Sequence, residues 1–390
     1  MRKIWTVCSL LIGIAIVFSA CAAPAQPAAA PQPTAPAAKP VAAQPTAAPA
    51  AAQPAAAPAK QAWKACYVYN SPVGDAGWVF AANEGRKAVE KKLGIQTTFV
   101  ENIPAGADAE RTFSQLAESG CNEVVSTTNT YNDAVDRVAP KYPKVVFESY
   151  EGIKPGPNLR VYRLAQYEAY YVAGVLAGKM VKNGQAGWVA GFAAPAYPSF
   201  ANSFVMGARS VNPNFKLNVV FMNKWSDPPG EKQAAESLAA AGAGLVTNSM
   251  SSPTVLQTAE NKGIFSLGRT PQCSYAPKGC LASFVVNWEA IFEWQITSAM
   301  SGKLDSDQVY WANLSNNGVG LGELNPAVPA DVKALLDQTK ADVASGKIQI
   351  FKGPMKDVDG NEKIPAGTTL TPEKANLIEW FVDGVQVSKK

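Results

Sequence analysis

The stretch that most constrains the fold runs from Ala65 to Gly94, ACYVYNSPVGDAGWVFAANEGRKAVEKKLG. A short apolar run, Ala65 to Tyr69, stops at a turn-forming loop, Asn70 to Gly77. Apolar or small residues then recur at Val79, Ala82, Gly85, Val89 and Leu93, the spacing of one helix face. Strand, glycine-bearing loop and helix in this order make the first half of a βαβ unit. In open parallel sheets, ligands sit just beyond the carboxyl ends of such strands. The loop Ser71 to Trp78 lies at that place. It lacks the third glycine of G-x-G-x-x-G and has no G-K-[ST], so a nucleotide-phosphate cradle is unsupported. It carries one carboxylate, Asp75, and one large aromatic, Trp78, a pair suited to a flat ligand with hydrogen-bond donors. The plainer alternative leaves Asp75 as a helix cap and Trp78 in the core.

The pattern repeats. Strands are expected at Thr97 to Val100, Glu123 to Ser126, Val145 to Phe147 and Arg160 to Leu164, with helices near Gly106 to Glu118 and Thr130 to Lys141. After a long helix, Tyr167 to Asn183, it restarts with strands Gly187 to Gly191, Leu217 to Met222, Leu245 to Thr247, Ile264 to Leu267 and Leu281 to Val286. Between them lie a helix Ser199 to Asn212 and helices opened by Asp227-Pro228 and Ser252-Pro253, a polar cap followed by proline at the first helical position. Further on, a helix Trp288 to Ser301 capped by Asn287 precedes short strands Val309 to Leu314 and Val319 to Leu321. The tail reads as a helix Val328 to Ser345, a strand Ile348 to Phe351, a turn Asp357 to Gly360 and a final helix Pro372 to Val382. Two successive doubly wound sheets imply an α/β protein of two lobes with a cleft between them. Asn129, Tyr131, Trp225 and Ser251 follow strands and are cleft candidates.

The start of the chain is a targeting segment. Arg2 and Lys3 precede an apolar run, Ile4 to Phe18, and Phe18-Ser19-Ala20-Cys21 looks like a bacterial lipobox, whose cleavage leaves a lipidated cysteine. From Ala22 to Lys60 nearly every residue is Ala, Pro, Gln or Thr. Such a segment cannot bury a core; as polyproline II, at ~3.1 Å per residue, it could reach on the order of 100 Å. Residues 1–20 are thus expected to be a signal peptide and 21–60 a tether holding the domain outside a membrane.

Composition removes several chemistries. The chain has no histidine, which excludes Ser-His-Asp and Cys-His catalysis and H-E-x-x-H zinc sites. Of 35 basic residues two lie in the leader, leaving 33 against 31 acidic ones, and no basic run with interleaved aromatics suggests nucleic acid. No cofactor motif is present. Four cysteines remain in the domain, and an exported chain with an even count suggests disulfides. Cys273 and Cys280 flank a Pro- and Gly-bearing turn and are expected to pair. Cys66 opens the first strand and Cys121 precedes the third, strands that are neighbours in the usual sheet order, so a second bridge is open to them, although parallel strands need not satisfy disulfide geometry.

Several segments together resemble one family. Pro72 to Trp78, the helix Glu84 to Glu90, Phe204 to Pro213, Trp225-Ser226-Asp227-Pro228, Asn287-Trp288 and Phe351 to Pro354 are similar to the basic membrane protein family. The resemblance spans Gln61 to Val387 and implies a lipoprotein solute receptor of an ABC importer, similar to purine nucleoside receptors, with the type I periplasmic-binding-protein fold. It implies crossings between lobes near 164–170, 286–288 and 314–319, placing 61–165 with about 287–315 in lobe 1 and 166–286 with about 316–390 in lobe 2. It also implies a base sandwiched by Trp78 and Phe200, with Asp75 matching the family's first-loop aspartate. Two positions depart from that pattern: Val79 replaces an asparagine, and Thr270 replaces a ribose-binding aspartate. No lysine lies between Leu281 and Trp288 for a second ribose contact.

The expected partners are a small-molecule ligand, an ABC permease with its ATPase, and the membrane through a lipid anchor. A surface sensor binding the same ligand, and receptors for a flavin or a sugar, are the alternatives. An extracellular hydrolase would need paired carboxylates among Asp133, Glu148 or Asp227, none fixed near Asp75 by local spacing. Mass spectrometry of the membrane-extracted protein is expected to find a mature chain beginning at an acylated Cys21. An unprocessed N-terminus, or a mature chain without lipid, contradicts the assignment.

Overall fold

A computed structural model describes residues 63–193, 196–269, 271–302 and 309–388. Cys21, the leader and tether, and Thr270 lie outside the described residues. The first half builds β1 (Lys64–Val68), α1 (Trp78–Leu93), β2 (Gln96–Val100), α2 (Ala107–Glu118), β3 (Glu123–Ser126), α3 (Asn132–Val138), β4 (Val146–Tyr150) and β5 (Leu159–Leu164). The second builds α4 (Gln166–Met180), β6 (Gln185–Ala190), α5 (Tyr197–Arg209), β7 (Lys216–Phe221), α6 (Pro228–Ala240), β8 (Leu245–Ser249), α7 (Thr254–Asn261), β9 (Phe265–Arg269) and β10 (Cys280–Val286). Then follow α8 (Trp288–Met300), β11 (Val309–Ala312), β12 (Val319–Leu321), α9 (Ala330–Ala344), β13 (Met355–Lys356), β14 (Glu362–Ile364), α10 (Pro372–Asn376) and β15 (Val385–Val387).

The strands form two large sheets, in the orders β2-β1-β3-β4-β5-β11 and β15-β7-β6-β8-β9-β10-β12, parallel throughout except for β12. β1 and β3 are buried along nearly their whole length, as strands covered by helices on both faces must be. Strand order reverses direction between β1 and β3 in one sheet and between β6 and β8 in the other. These are the switch points where crevices open. The chain passes between the sheets at β5 to α4, at β10 to α8 and at β11 to β12. Helix α8 packs on α1 of the first lobe, and β11 pairs with β5, so both return from the second lobe.

Local chemistry explains most helix ends. Asp227 caps α6 by accepting the Gly230 N–H, with Pro228 at the first helical position, and the Asn287 side chain accepts the Ala290 N–H at the start of α8. At α7 the start shifts by one residue: Pro253 stands at the cap, and the Ser252 hydroxyl accepts the Thr254 N–H from one place further back.

Two tail assignments are corrected. The expected strand Ile348 to Phe351 is irregular backbone. Ile350 and Phe351 are buried and Phe351 packs beside Tyr167, so these side chains fill the core without a sheet edge to join. The expected helix to Val382 ends at Asn376, whose amide donates to the Leu164 carbonyl. The chain beyond it is drawn to the open edge of β7, where β15 pairs in parallel.

Cys66 is bonded to Cys121 and Cys273 to Cys280. The tightest packing in the second lobe joins α4 to α5. A Cβ on Gly207 would fall 2.0 Å from the Tyr171 carbonyl oxygen, and one on Gly174 equally close to that of Phe204, so the two backbones touch. Gly207→Ala is therefore expected to lower unfolding stability by about 1 to 3 kcal/mol, read from urea denaturation. An unchanged midpoint would contradict this packing.

Candidate functional site

The site begins where β1 ends. Asp75 Oδ1 accepts the N–H groups of Gly77 (2.8 Å) and Phe80 (3.0 Å). Its Oδ2 accepts the Val79 N–H (3.3 Å) and the Ser71 hydroxyl (3.1 Å). A carboxylate has about four acceptor positions, and here all are taken by its own loop and the first turn of α1. Asp75 is thus a cap, the plainer of its two expected uses, and it sets the direction in which Trp78 leaves the helix start.

Trp78 is partly buried and reaches across the switch point. Its indole N–H donates to the Thr127 carbonyl after β3 (2.8 Å). Its ring lies 5.4 Å from that of Tyr150 and edge-on to that of Trp288 at 5.0 Å. From the second lobe, the Arg269 guanidinium stands 5.7 Å from the Trp78 ring centre, a cation–π contact between the lobes. The lobes also touch at Gly77, where a Cβ would lie 3.3 Å from the Ser251 Cα. Beside these contacts a cavity of about 390 Å³ opens between α1, Gln166, Arg269 and the crossing from Val286 to Trp288. That volume falls in the range of small-molecule sites.

Arg269 is held by a chain of buried polar groups linking the loops after β7, β8 and β9. The Gln272 side-chain oxygen accepts the Arg269 backbone N–H (3.0 Å), and its side-chain amide donates to the carbonyls of Met250 (2.8 Å) and Ser252 (3.1 Å). The Ser252 hydroxyl bonds Glu231, which in turn accepts the Asp227 N–H (2.9 Å). The Cys273–Cys280 bridge closes the same turn.

The charge of Arg269 is felt at three tyrosines. Burial pushes Tyr197 up to about 12, and it raises Tyr150 and Tyr170 as well, while the positive charge of Arg269 opposes the rise at all three.

The structure separates the expected site residues. Trp78 and Ser251 lie where the lobes meet. Asn129 is exposed in the turn after β3. Trp225 is half exposed, edge-on to Phe192, and its carbonyl accepts the Ser251 N–H. Tyr131 is corrected to core: it is fully buried against Phe113 and its hydroxyl donates to the Ile103 carbonyl (2.6 Å). Phe200 is likewise core. It is 3% exposed, with one face stacked on Tyr170 at 4.7 Å and 4°, so it is unavailable as the second slab of a sandwich. Sequence reasoning missed Arg269, Tyr197 and Gln166 as site residues. Arg269 ends β9, the kind of strand-end position that made Ser251 a candidate, and stands one residue before Thr270. Trp288 stood within a segment already singled out.

Residues 62–350 match the family model described as ABC transporter substrate-binding protein PnrA-like. The chain belongs to this family. It is 34% identical over 327 residues to a purine-binding protein of Brucella abortus, covering 83% of this chain and 92% of the relative. It is 29% identical to a putative ABC transporter glucose-binding protein of Haloferax volcanii, covering 76% of each. Among solved structures, the ABC transporter solute-binding protein of Conexibacter woesei superposes with a TM-score of 0.66 at 19% identity, over 74% of this chain and 98% of that one. Mixed α/β lobes with parallel sheets are therefore the fold of solute-binding proteins, the type I arrangement. Family members are extracytoplasmic binding proteins of the purine and nucleoside type, serving a permease and its ATPase. Among the described residues no helix is long and apolar enough to cross a membrane.

Glu151, next to Tyr150, supplies a pH test. Burial raises its pKa from 4.5 to about 7, opposed by the charge of Arg163 and the Leu164 N–H. The folded state therefore favours neutral Glu151. Its contribution to stability is full below about pH 4.5 and is lost as pH rises through about 7. Glu151→Gln is expected to flatten this loss, on the order of 1 to 3 kcal/mol between pH 5 and 8, in denaturation curves. An identical slope in the variant would count against the assignment.

Proposed function

We propose that this protein is a lipid-anchored extracytoplasmic receptor of an ABC importer that captures a planar nitrogen heterocycle, a purine base or nucleoside-like solute, between its lobes. The observation that carries this reading is the meeting of Trp78 from one lobe with Arg269 from the other, beside a cavity floored by Trp288. A flat ligand gains about 0.5 to 1.5 kcal/mol per aromatic contact beyond area burial, and a cation facing the same space orients its polar edge. The Brucella abortus relative, named as purine-binding, supports this class of ligand. Anchoring rests on the lipobox ending at Cys21.

Binding without turnover is also favoured. Of the carboxylates a hydrolase would use, Glu148 is buried on Arg160 and Asp227 caps α6, so neither faces the cavity. The name of the Haloferax volcanii relative keeps glucose as the second reading. A ligand-sensing role uses the same site; stimulation of a cognate permease–ATPase by the loaded receptor separates import from sensing.

Calorimetry with purine bases, nucleosides, riboflavin and glucose is expected to detect a purine or nucleoside. Trp78→Ala should weaken that binding by at least ~10-fold, while Trp78→Phe keeps most of it. Binding of glucose alone, or full affinity in Trp78→Ala, would sink the proposal.

A further inference from the structure

The polar groups around the cavity are unequal in kind. On the donor side stands Arg269, with five N–H groups in a planar fork. It stands beside the Trp78 ring, and among the described residues no carboxylate forms an ion pair with it. A second donor, the indole N–H of Trp288, belongs to a 2% exposed side chain that lines the cavity, and it has no hydrogen-bond partner. A buried donor left unpaired is costly, so the Trp288 indole invites an acceptor atom from a ligand, and the partly exposed Arg269 guanidinium can meet another.

The acceptors near the cavity are partly engaged. The Asp75 carboxylate is taken up by its own loop and helix. Two carboxylates line the cavity, both half exposed, and each has one oxygen on a lysine: Glu84 with Lys87 at 2.7 Å and Glu289 with Lys92 at 3.2 Å. Gln166 offers an amide that can act either way.

We infer that Arg269 is the specificity-determining residue of this cleft and that it selects purines bearing an oxygen at position 6, such as hypoxanthine or xanthine, over adenine. This rests on the purine reading of the cleft. The chemistry is that by which a guanidinium recognises the edge of guanine. Oxygen 6 and nitrogen 7 are two adjacent acceptors that match two parallel N–H donors, whereas adenine places an amino donor beside nitrogen 7. Placed on the same guanidinium fork, adenine sets its amino group against a second donor.

Gln272 is a positioning residue for this contact. It bonds the Arg269 backbone N–H and ties that loop to the carbonyls of Met250 and Ser252.

The test is calorimetry on the purified full chain with hypoxanthine, xanthine, adenine and glucose. The wild type is expected to bind the two oxopurines about 10- to 100-fold more tightly than adenine. Arg269→Gln should collapse this ratio to within about threefold. Arg269→Lys, which keeps the charge but loses the fork, should retain part of it. Equal or tighter binding of adenine by the wild type, or an unchanged ratio in Arg269→Gln, overturns the inference while leaving the purine reading standing. Binding of glucose with no purine bound overturns both.

Discussion

The arrangement of the cleft depends on how one carboxylate is satisfied. The first turn of a helix leaves N–H groups without partners, and Asp75 takes three backbone N–H groups at the start of α1 together with the Ser71 hydroxyl. With that loop closed on itself, Trp78 leaves the helix in one direction and its indole reaches Thr127 across the switch point. The ring so placed is the surface that Arg269 meets from the other lobe. A loop that were free to turn would carry the aromatic with it, and the inter-lobe contact would lose its geometry.

The second support is buried in the first lobe. Glu123 on β3, Glu148 on β4 and Arg160 on β5 sit together, almost fully buried, and Arg160 also donates to the Gln295 carbonyl of α8 (2.6 Å). Two carboxylates share one guanidinium away from water. Burial and the charge of Glu148 raise the Glu123 pKa well above its ordinary value, against the pull of Arg160. The Trp63 indole also donates to Glu123. This cluster fastens α8 onto the first sheet. Trp288, the first residue of that helix, is thereby fixed where the chain enters from the second lobe, packed between Trp78 and Phe292.

The second lobe is organised differently. Its core is a stack of rings, Phe200 on Tyr170 and Tyr170 on Phe284, set by the contact of α4 with α5 at Gly174 and Gly207. Its cleft edge is held by polar links instead, running from Asp227 through Glu231, Ser252 and Gln272 to Arg269. Apolar packing positions the helices, and directional hydrogen bonds hold the loop that carries Arg269.

Much of the fold was legible in the sequence, because apolar periodicity and proline or asparagine caps act locally. The βαβ alternation, the cap at Asp227 and the cap at Asn287 follow from neighbouring residues alone. The same local rules overreached in the tail, where Ile348 to Phe351 and Leu377 to Val382 have apolar patterns but take their shape from the core and from the open edge of β7. The site was legible in part. Strand ends pointed to Trp78 and to the loop around Ser251, yet Trp78 and Phe200 are equivalent by local pattern, each near the start of the helix after a lobe's first strand. Only tertiary structure distinguishes them: α4 lays Tyr170 flat against Phe200 and removes it from the cleft, whereas nothing covers Trp78 as fully. It likewise decides that Asp75 is saturated and that Arg269 lines the cavity. Hydrogen-bond accounting depends on which loops meet, and that is a property of the folded chain rather than of any single segment.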